Sequence, residues 1–188
     1  MQEPLFGTTD LAEFLKLLSN SERKLELIEG EVVAFAGGSV AHGILCSRLH
    51  TKISLATKPP CQAFTSDVAI RLNDRATYVF PDVSRTCEPL DTNARWIQAP
   101  DFVAEVISPE SKERDRSEKL DAYQSIPSVL EYLLVDSRRV WVCVFRRMAG
   151  GFWTETTYGA EECFDLRSVA VTIDVKELYA GTGRVLSP

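Results

Sequence analysis

Two carboxylates and one lysine have the residue types and settings that metal-assisted phosphoryl chemistry needs. Glu105 lies within Pro100-Asp-Phe-Val-Ala-Glu-Val-Ile-Ser-Pro109, a run of strand formers bounded by proline. A charged side chain in an apolar strand is costly unless it is paired or binds a metal. Asp82 occupies a similar setting in Tyr78-Val-Phe-Pro-Asp-Val83. Side chains alternate along a strand, so Asp101, Val103, Glu105 and Ile107 share one face, and Asp82 shares one with Phe80 and Ser84. If the two strands are neighbours, their carboxylates can share one hard cation. Mg²⁺ requires only one or two such ligands, completed by water and substrate phosphate, and Mn²⁺ is its usual substitute. On a helical wheel over residues 113–126, Lys119 falls inside the apolar stripe of Ala122, Tyr123 and Ile126. There its ammonium could stabilise charge on an attacked phosphate. Asp115 and Arg116 flank the stripe and could orient it. The plainer readings are ion pairs at strand ends for the acids and a snorkelling stem for Lys119.

Three further residues are candidates for a supporting role. His42 sits at the edge of the buried face of the longest helical pattern, and Glu31 and Asp67 are carboxylates near strand ends. His50 lacks acidic company and is assigned no role. The paired arginines Arg138-Arg139 and Arg146-Arg147, with Lys112, Arg114 and Arg116, are basic clusters that suit solvated turns or phosphate contacts.

The elements that must position these groups follow from periodicity. Residues 8–18 form an amphipathic helix capped by Thr9 or Asp10. Residues 24–28 and 31–35 form two strands around the turn at Glu29-Gly30. Residues 40–57 form the longest helix, with Ala41, Leu45, Leu49, Ile53 and Ala56 on or near one face and Ser39 as its cap. Pro59-Pro60 ends it. Three strands follow, at 63–72, 78–87 and 101–107, the last two separated by a loop over 88–99. The helix at 113–126 leads to an apolar strand at 130–135, buried on both faces. Strands at 140–145 and 152–158 complete a meander, with a short strand and helix at 171–179. This order predicts an α/β layer arrangement with a mixed sheet.

The chain has 188 residues, 45% of them hydrophobic and 26% charged, which suits one soluble domain spanning residues 1–188. No run of about 18 apolar residues predicts a transmembrane helix, and the N-terminus lacks a signal-peptide pattern. The net charge of −6 argues against a non-specific electrostatic coat on nucleic acid. Bound divalent cations would screen carboxylates facing phosphate. The five cysteines have no CxxC spacing and are expected to be reduced core residues of a cytoplasmic protein.

An ordered set of motifs carries a resemblance. Glu26-Leu-Ile-Glu-Gly-Glu-Val-Val33, His42, Asp67-Val, Pro81-Asp-Val83, the Pro100–Pro109 run, Arg114-Asp-Arg-Ser-Glu-Lys-Leu-Asp-Ala-Tyr123 and Val129-Leu-Glu-Tyr-Leu-Leu-Val-Asp136 resemble the Uma2 family, also called DUF820. The resemblance covers residues 10–150. It implies membership of the PD-(D/E)XK, restriction-endonuclease-like superfamily, an αβββαβ core over about 39–136, and Mg²⁺-dependent cleavage of DNA. By the same resemblance Asp82 is the first acid and Glu105 the second, both as metal ligands. The superfamily lysine would stand two residues after Glu105, where this chain has Ile107; Lys119 is the substitute that both the family pattern and the wheel support. The rival functions are a non-catalytic nucleic-acid or protein-binding module and a hydrolase of another phosphate ester. The apolar meander at 140–158 could expose an edge, so a homodimer is a further expectation.

Overall fold

The structure is a computed structural model that describes residues 8–35, 38–72, 76–108 and 112–184. Helix α1 (Leu11–Asn20) is capped by Asp10, whose carboxylate accepts the Glu13 N–H at 2.8 Å. Strands β1 (Lys24–Ile28) and β2 (Glu31–Phe35) form the expected hairpin. Its turn needs glycine. Gly30 has φ +87°, and a Cβ there would stand 2.8 Å from the Thr8 methyl carbon. Ser39 caps α2 (Val40–Ala56), whose buried residues are Ala41, Leu45, Leu49 and Ile53, the face expected from their spacing.

The next two predicted strands each divide between two sheets. Residues 63–72 become β3 (Gln62–Thr65) and β4 (Ala69–Leu72), because the Val68 N–H turns back to the Thr65 carbonyl. Residues 78–87 become β5 (Thr77–Val79) and β6 (Val83–Thr86). Pro81 between them has no N–H for a ladder. Strand β7 (Trp96–Ile97) lies in the segment expected to be a loop. It is followed by β8 (Pro100–Ile107), α3 (Lys112–Arg116), α4 (Glu118–Ser125), β9 (Glu131–Asp136), β10 (Val142–Arg147) and β11 (Trp153–Tyr158). The single helix expected over 113–126 is thus two, parted at Ser117, whose backbone leaves the helical region (φ −123°, ψ −84°). Strands β12 (Cys163–Leu166) and β13 (Val171–Asp174) and helix α5 (Val175–Tyr179) complete the described chain.

One sheet runs β2-β1-β5-β4-β7, a second runs β11-β10-β9-β8-β6-β3, and β12 and β13 pair as a third. In the second, β3, β6 and β8 are antiparallel neighbours, and β9 is parallel to β8. The sequence α2, β3, β6, β8, α4, β9 is the αβββαβ order, within a mixed α+β fold. Alternation along β8 separates two cores. Phe102, Ala104 and Val106 pack with Leu45, Leu49 and Ile53 of α2, while Val103 and Ile107 pack with Tyr123 of α4 and with Ile70 and Val79 of the other sheet. Glu105 has the parity of the second group.

The expectation of reduced cysteines fails at one pair. Cys61 and Cys87 form a disulfide. Strand β3 pairs antiparallel with β6 in the register Gln62↔Thr86, so the next step outward brings residues 61 and 87 face to face. The separation of 26 residues hid this proximity from the sequence. Cys46, Cys143 and Cys163 are free thiols.

Candidate active site

The strand break at Pro81 places Asp82. Because β6 pairs with β8 in the register Val83↔Ala104, the next step of that register sets Asp82 opposite Glu105. Strand β6 begins at Val83, so its backbone does not reach the Val106 N–H, and the Asp82 Oδ2 accepts that N–H at 2.7 Å instead. A side chain thereby completes a ladder that the proline interrupts.

Glu105 is almost fully buried, at 4% exposure. Its Oε1 accepts the Tyr123 hydroxyl at 2.8 Å and the Lys119 ammonium at 3.1 Å. Both donors come from α4, on successive turns of one face. Lys119 also reaches Glu26 Oε2 at 3.0 Å and Asp115 Oδ1 at 3.4 Å. Glu26 arrives from β1 in the other sheet, held there by the Phe80 N–H on its Oε1 at 2.8 Å. Tyr132 of β9 donates to the Asp115 carbonyl at 3.0 Å, and its ring lies 4.9 Å from that of Tyr123. The cluster therefore draws on the two larger sheets and on helices α3 and α4.

One cation faces three carboxylates in this pocket, and Asp82 adds a fourth nearby. Burial pushes the Glu105 carboxyl well above its usual range, with Asp115, Asp82 and Glu26 adding to the rise against the pull of Lys119. For Lys119, burial disfavours the ammonium, but Glu105, Glu26 and Asp115 outweigh it and hold the group charged. Negative charge is in excess, and a proton or a second cation must offset it.

On the other side of Asp82 lies α2. His42 Nε2 is 3.5 Å from Asp82 Oδ2, and the bond to Asp82 raises the imidazole's affinity for its proton. Burial raises the Asp82 carboxyl, but the hydrogen bond and charge of His42, the Val106 N–H and Lys119 together bring it below its ordinary value. One turn along α2, Cys46 Sγ stands 3.4 Å from His42 Nδ1.

The structure thus brings Asp82, Glu105, Lys119 and His42 into one neighbourhood. It leaves two candidates outside. Glu31 is exposed at the start of β2, opposite Ile28, and makes no hydrogen bond or ion pair with the cluster among the described residues. Asp67 is exposed in the turn between β3 and β4 and accepts the Thr65 hydroxyl at 3.3 Å. Arg116 also turns away, to Glu155 at 3.1 Å and the face of Trp141. Glu26, Tyr123 and Cys46 also stand at the site, although their spacing does not single them out. Glu26 carried the same signal as Glu105, an acid inside an apolar strand, in Lys24-Leu-Glu-Leu-Ile28. Tyr123 has the pattern of a core residue because its ring is core; only its hydroxyl enters the site.

The donor set suits a hard divalent cation. Asp82 and Glu105 offer oxygen ligands from adjacent strands, Glu26 stands beside them, and among the described residues the hydrogen bonds to Glu105 all fall on Oε1, leaving Oε2 for a ligand bond.

Comparison with known proteins gives a consistent family. Residues 11–175 match the family model Uma2, described as "Putative restriction endonuclease". Two Synechocystis proteins are similar in sequence. One, "Uncharacterized protein slr1290", is 31% identical over 171 residues, covering 90% of each chain. The other, "Uncharacterized protein sll1609", is 30% identical over 129 residues, covering 66% of this chain and 73% of its own. A crystal structure of a "putative nuclease belonging to DUF820" from Anabaena variabilis shares the fold, with a TM-score of 0.76, 22% identity, and coverage of 92% of this chain and 98% of that one. With its family model spanning most of its length and its αβββαβ core intact, this chain belongs to the Uma2 family.

Proposed function

We propose that the chain is a metal-dependent endonuclease that hydrolyses phosphodiester bonds of DNA. The observation that carries this reading is the imbalance at Lys119: one buried ammonium within 3.4 Å of three carboxylates, with Asp82 opposite one of them. A site with surplus buried negative charge is organised for a cation. Asp82 and Glu105 would hold Mg²⁺, with Mn²⁺ as substitute. When bound, the ion supplies Lewis acidity and lowers the pKa of a coordinated water.

The chain's own residues do the rest. The Val106 N–H fixes the Asp82 carboxylate, and Tyr123 and Lys119 fix that of Glu105, so neither must reorganise during the reaction. Lys119 offsets repulsion among the acids. By turning one N–H from a carboxylate toward a scissile phosphate, it would stabilise the charge developing there. His42, exposed enough to meet solvent and held by Asp82, can carry a proton at Nε2 beside the substrate.

A plasmid-nicking assay with Mg²⁺ or Mn²⁺ tests this reading, with the Glu105→Gln variant as control. The amide is nearly isosteric and lacks the charge a hard cation requires. Nicking by the wild type and background nicking by a folded variant are expected. Equal rates for the two would remove Glu105 from the site.

A further inference from the structure

We propose that His42, Cys46 and Asp82 form a second metal site, for a borderline-soft divalent ion such as Zn²⁺, on the α2 side of the carboxylate cluster. It uses neither Glu105, Glu26 nor Lys119, so it stands or falls apart from the nuclease reading except through the shared Asp82 and His42.

The geometry is that of three ligands around one ion. The potential ligand atoms of the three side chains all lie within 4.8 Å of one another. His42 Nε2 is 3.5 Å from Asp82 Oδ2 and 3.9 Å from Cys46 Sγ. Tetrahedral zinc, with Zn–N and Zn–O near ~2.0–2.2 Å and Zn–S near ~2.3 Å, sets ligand atoms roughly 3.3–3.8 Å apart, so small side-chain shifts complete the site. The placement follows from the sequence. His42 and Cys46 are one helical turn apart and project from the same face of α2. Asp82 projects from the strand break at Pro81 toward them.

Packing holds the imidazole where a ligand is needed. A Cβ on Gly38 would stand 2.4 Å from His42 Cγ and 2.5 Å from Nδ1, so the backbone before α2 lies against the Nδ1 edge of the ring. The Nε2 edge is directed to Asp82. The side chains of His42 and Asp82 keep 21% and 17% of their exposure, so an ion can enter and a fourth ligand can come from solvent. Three protein ligands and one open position make the arrangement of a catalytic or substrate-binding zinc site rather than a closed structural one.

The donor set decides the ion. Mg²⁺ and Ca²⁺ select oxygen, whereas imidazole with thiolate selects Zn²⁺, Co²⁺ and their neighbours. Cys46 is a thiol in the metal-free protein, so binding breaks its S–H bond, forms the metal–sulfur bond and releases that proton to solvent, while the proton on His42 Nε2 leaves, or shifts to Nδ1, as the metal–nitrogen bond forms.

Cobalt(II) is the probe, because its absorption reports thiolate ligation directly. The full-length protein carrying Cys163→Ser, which removes the exposed thiol, is freed of metal with a chelator and titrated with CoCl₂. A thiolate-to-cobalt charge-transfer band and four-coordinate visible bands are expected, saturating at one ion per chain and discharged by an equivalent of ZnCl₂. Adding Cys46→Ser should abolish the charge-transfer band and weaken Zn²⁺ binding at least tenfold; His42→Ala should weaken it similarly. Glu105→Gln should retain the band while losing nicking, which separates this site from the catalytic one. Absence of the band in the parent protein overturns the proposal whatever the variants do. So does its survival in folded Cys46→Ser or its loss in folded Glu105→Gln.

Discussion

Two buried glutamates on neighbouring strands are treated in opposite ways. Glu131 begins β9 and is 1% exposed; Glu105, on the parallel strand β8, is 4% exposed. Around Glu131 every need is met. Arg146 Nε at 2.7 Å and the Arg167 N–H at 3.1 Å donate to Oε1, while the Ser168 N–H at 2.8 Å and hydroxyl at 2.6 Å donate to Oε2. One guanidinium serves one carboxylate, with three further donors. Around Glu105 one ammonium is divided among three acids, and the donors fall on a single oxygen. Burial alone does not distinguish a structural acid from a site acid. The ratio of cations and donors to carboxylates does.

The strongest way to break this comparison is to neutralise each glutamate in turn. Glu105→Gln should lose cutting to background yet keep or raise the melting temperature of the metal-free protein. Glu131→Gln should do the reverse. It leaves Arg146 without its counter-charge and costs about 3 kcal/mol of stability, while folded molecules cut at the wild-type rate. Denaturant melts together with nicking rates check both, and the comparison fails if Glu131→Gln proves the more stable of the two.

Lys119→Met comes next in expected effect. It retains the packing of the stem but leaves Glu26, Glu105 and Asp115 with no shared cation. We expect kcat to fall roughly 10²–10³-fold, as for loss of one preorganised electrostatic group. The metal-free variant should melt lower than wild type, and Mn²⁺ should raise its melting temperature by more than it raises that of wild type. An unchanged kcat would return Lys119 to a purely structural role.

The smallest expected effect is a pH dependence. Glu105 in the folded, metal-free protein binds its proton more tightly than in the unfolded chain, where the carboxyl titrates near ~4.3. Its contribution to stability is therefore fully present below that value and is lost as pH rises toward the folded-state value. In chelator, wild type should lose melting temperature from pH 5 upward more steeply than Glu105→Gln, and saturating Mn²⁺ should abolish the difference. Parallel curves for the two proteins would show that the surplus charge is offset elsewhere.

The polarity of single residues was legible in the sequence, and their long-range partners were not. Glu105 and Asp82 stood out because period-2 apolar runs make an acid conspicuous, and the register of β6 against β8 then brings them opposite each other. Lys119 was legible from the helical wheel even though α3 and α4 part at Ser117, because the residues from 119 to 126 keep one continuous face. The crossings between sheets were hidden because β3 with β4, and β5 with β6, each read as one strand; a break of three residues leaves strand propensity on both sides intact. Glu26 has the local signal of Glu105, an acid in an apolar strand, but its partner is remote. Its significance lies in Lys119, 93 residues away, and nothing local announces that meeting. The Cys61–Cys87 bond is likewise a consequence of register, visible only once β3 and β6 are paired.

That 93-residue span bears on when the pocket comes into being. Contacts closing long stretches of chain must wait until enough structure exists to repay the loop entropy, so they form late in folding. The β1–β2 hairpin is local and quick, as is the short span from Glu105 to Lys119. Glu26 joins them only after β1 has docked on β5, across the whole intervening chain. A half-folded molecule, or one still emerging during synthesis, therefore holds its acids apart and hydrated. The surplus of acids over cations at Lys119 is thus complete only once β1, with Glu26, has met the strand and helix that carry Glu105 and Lys119.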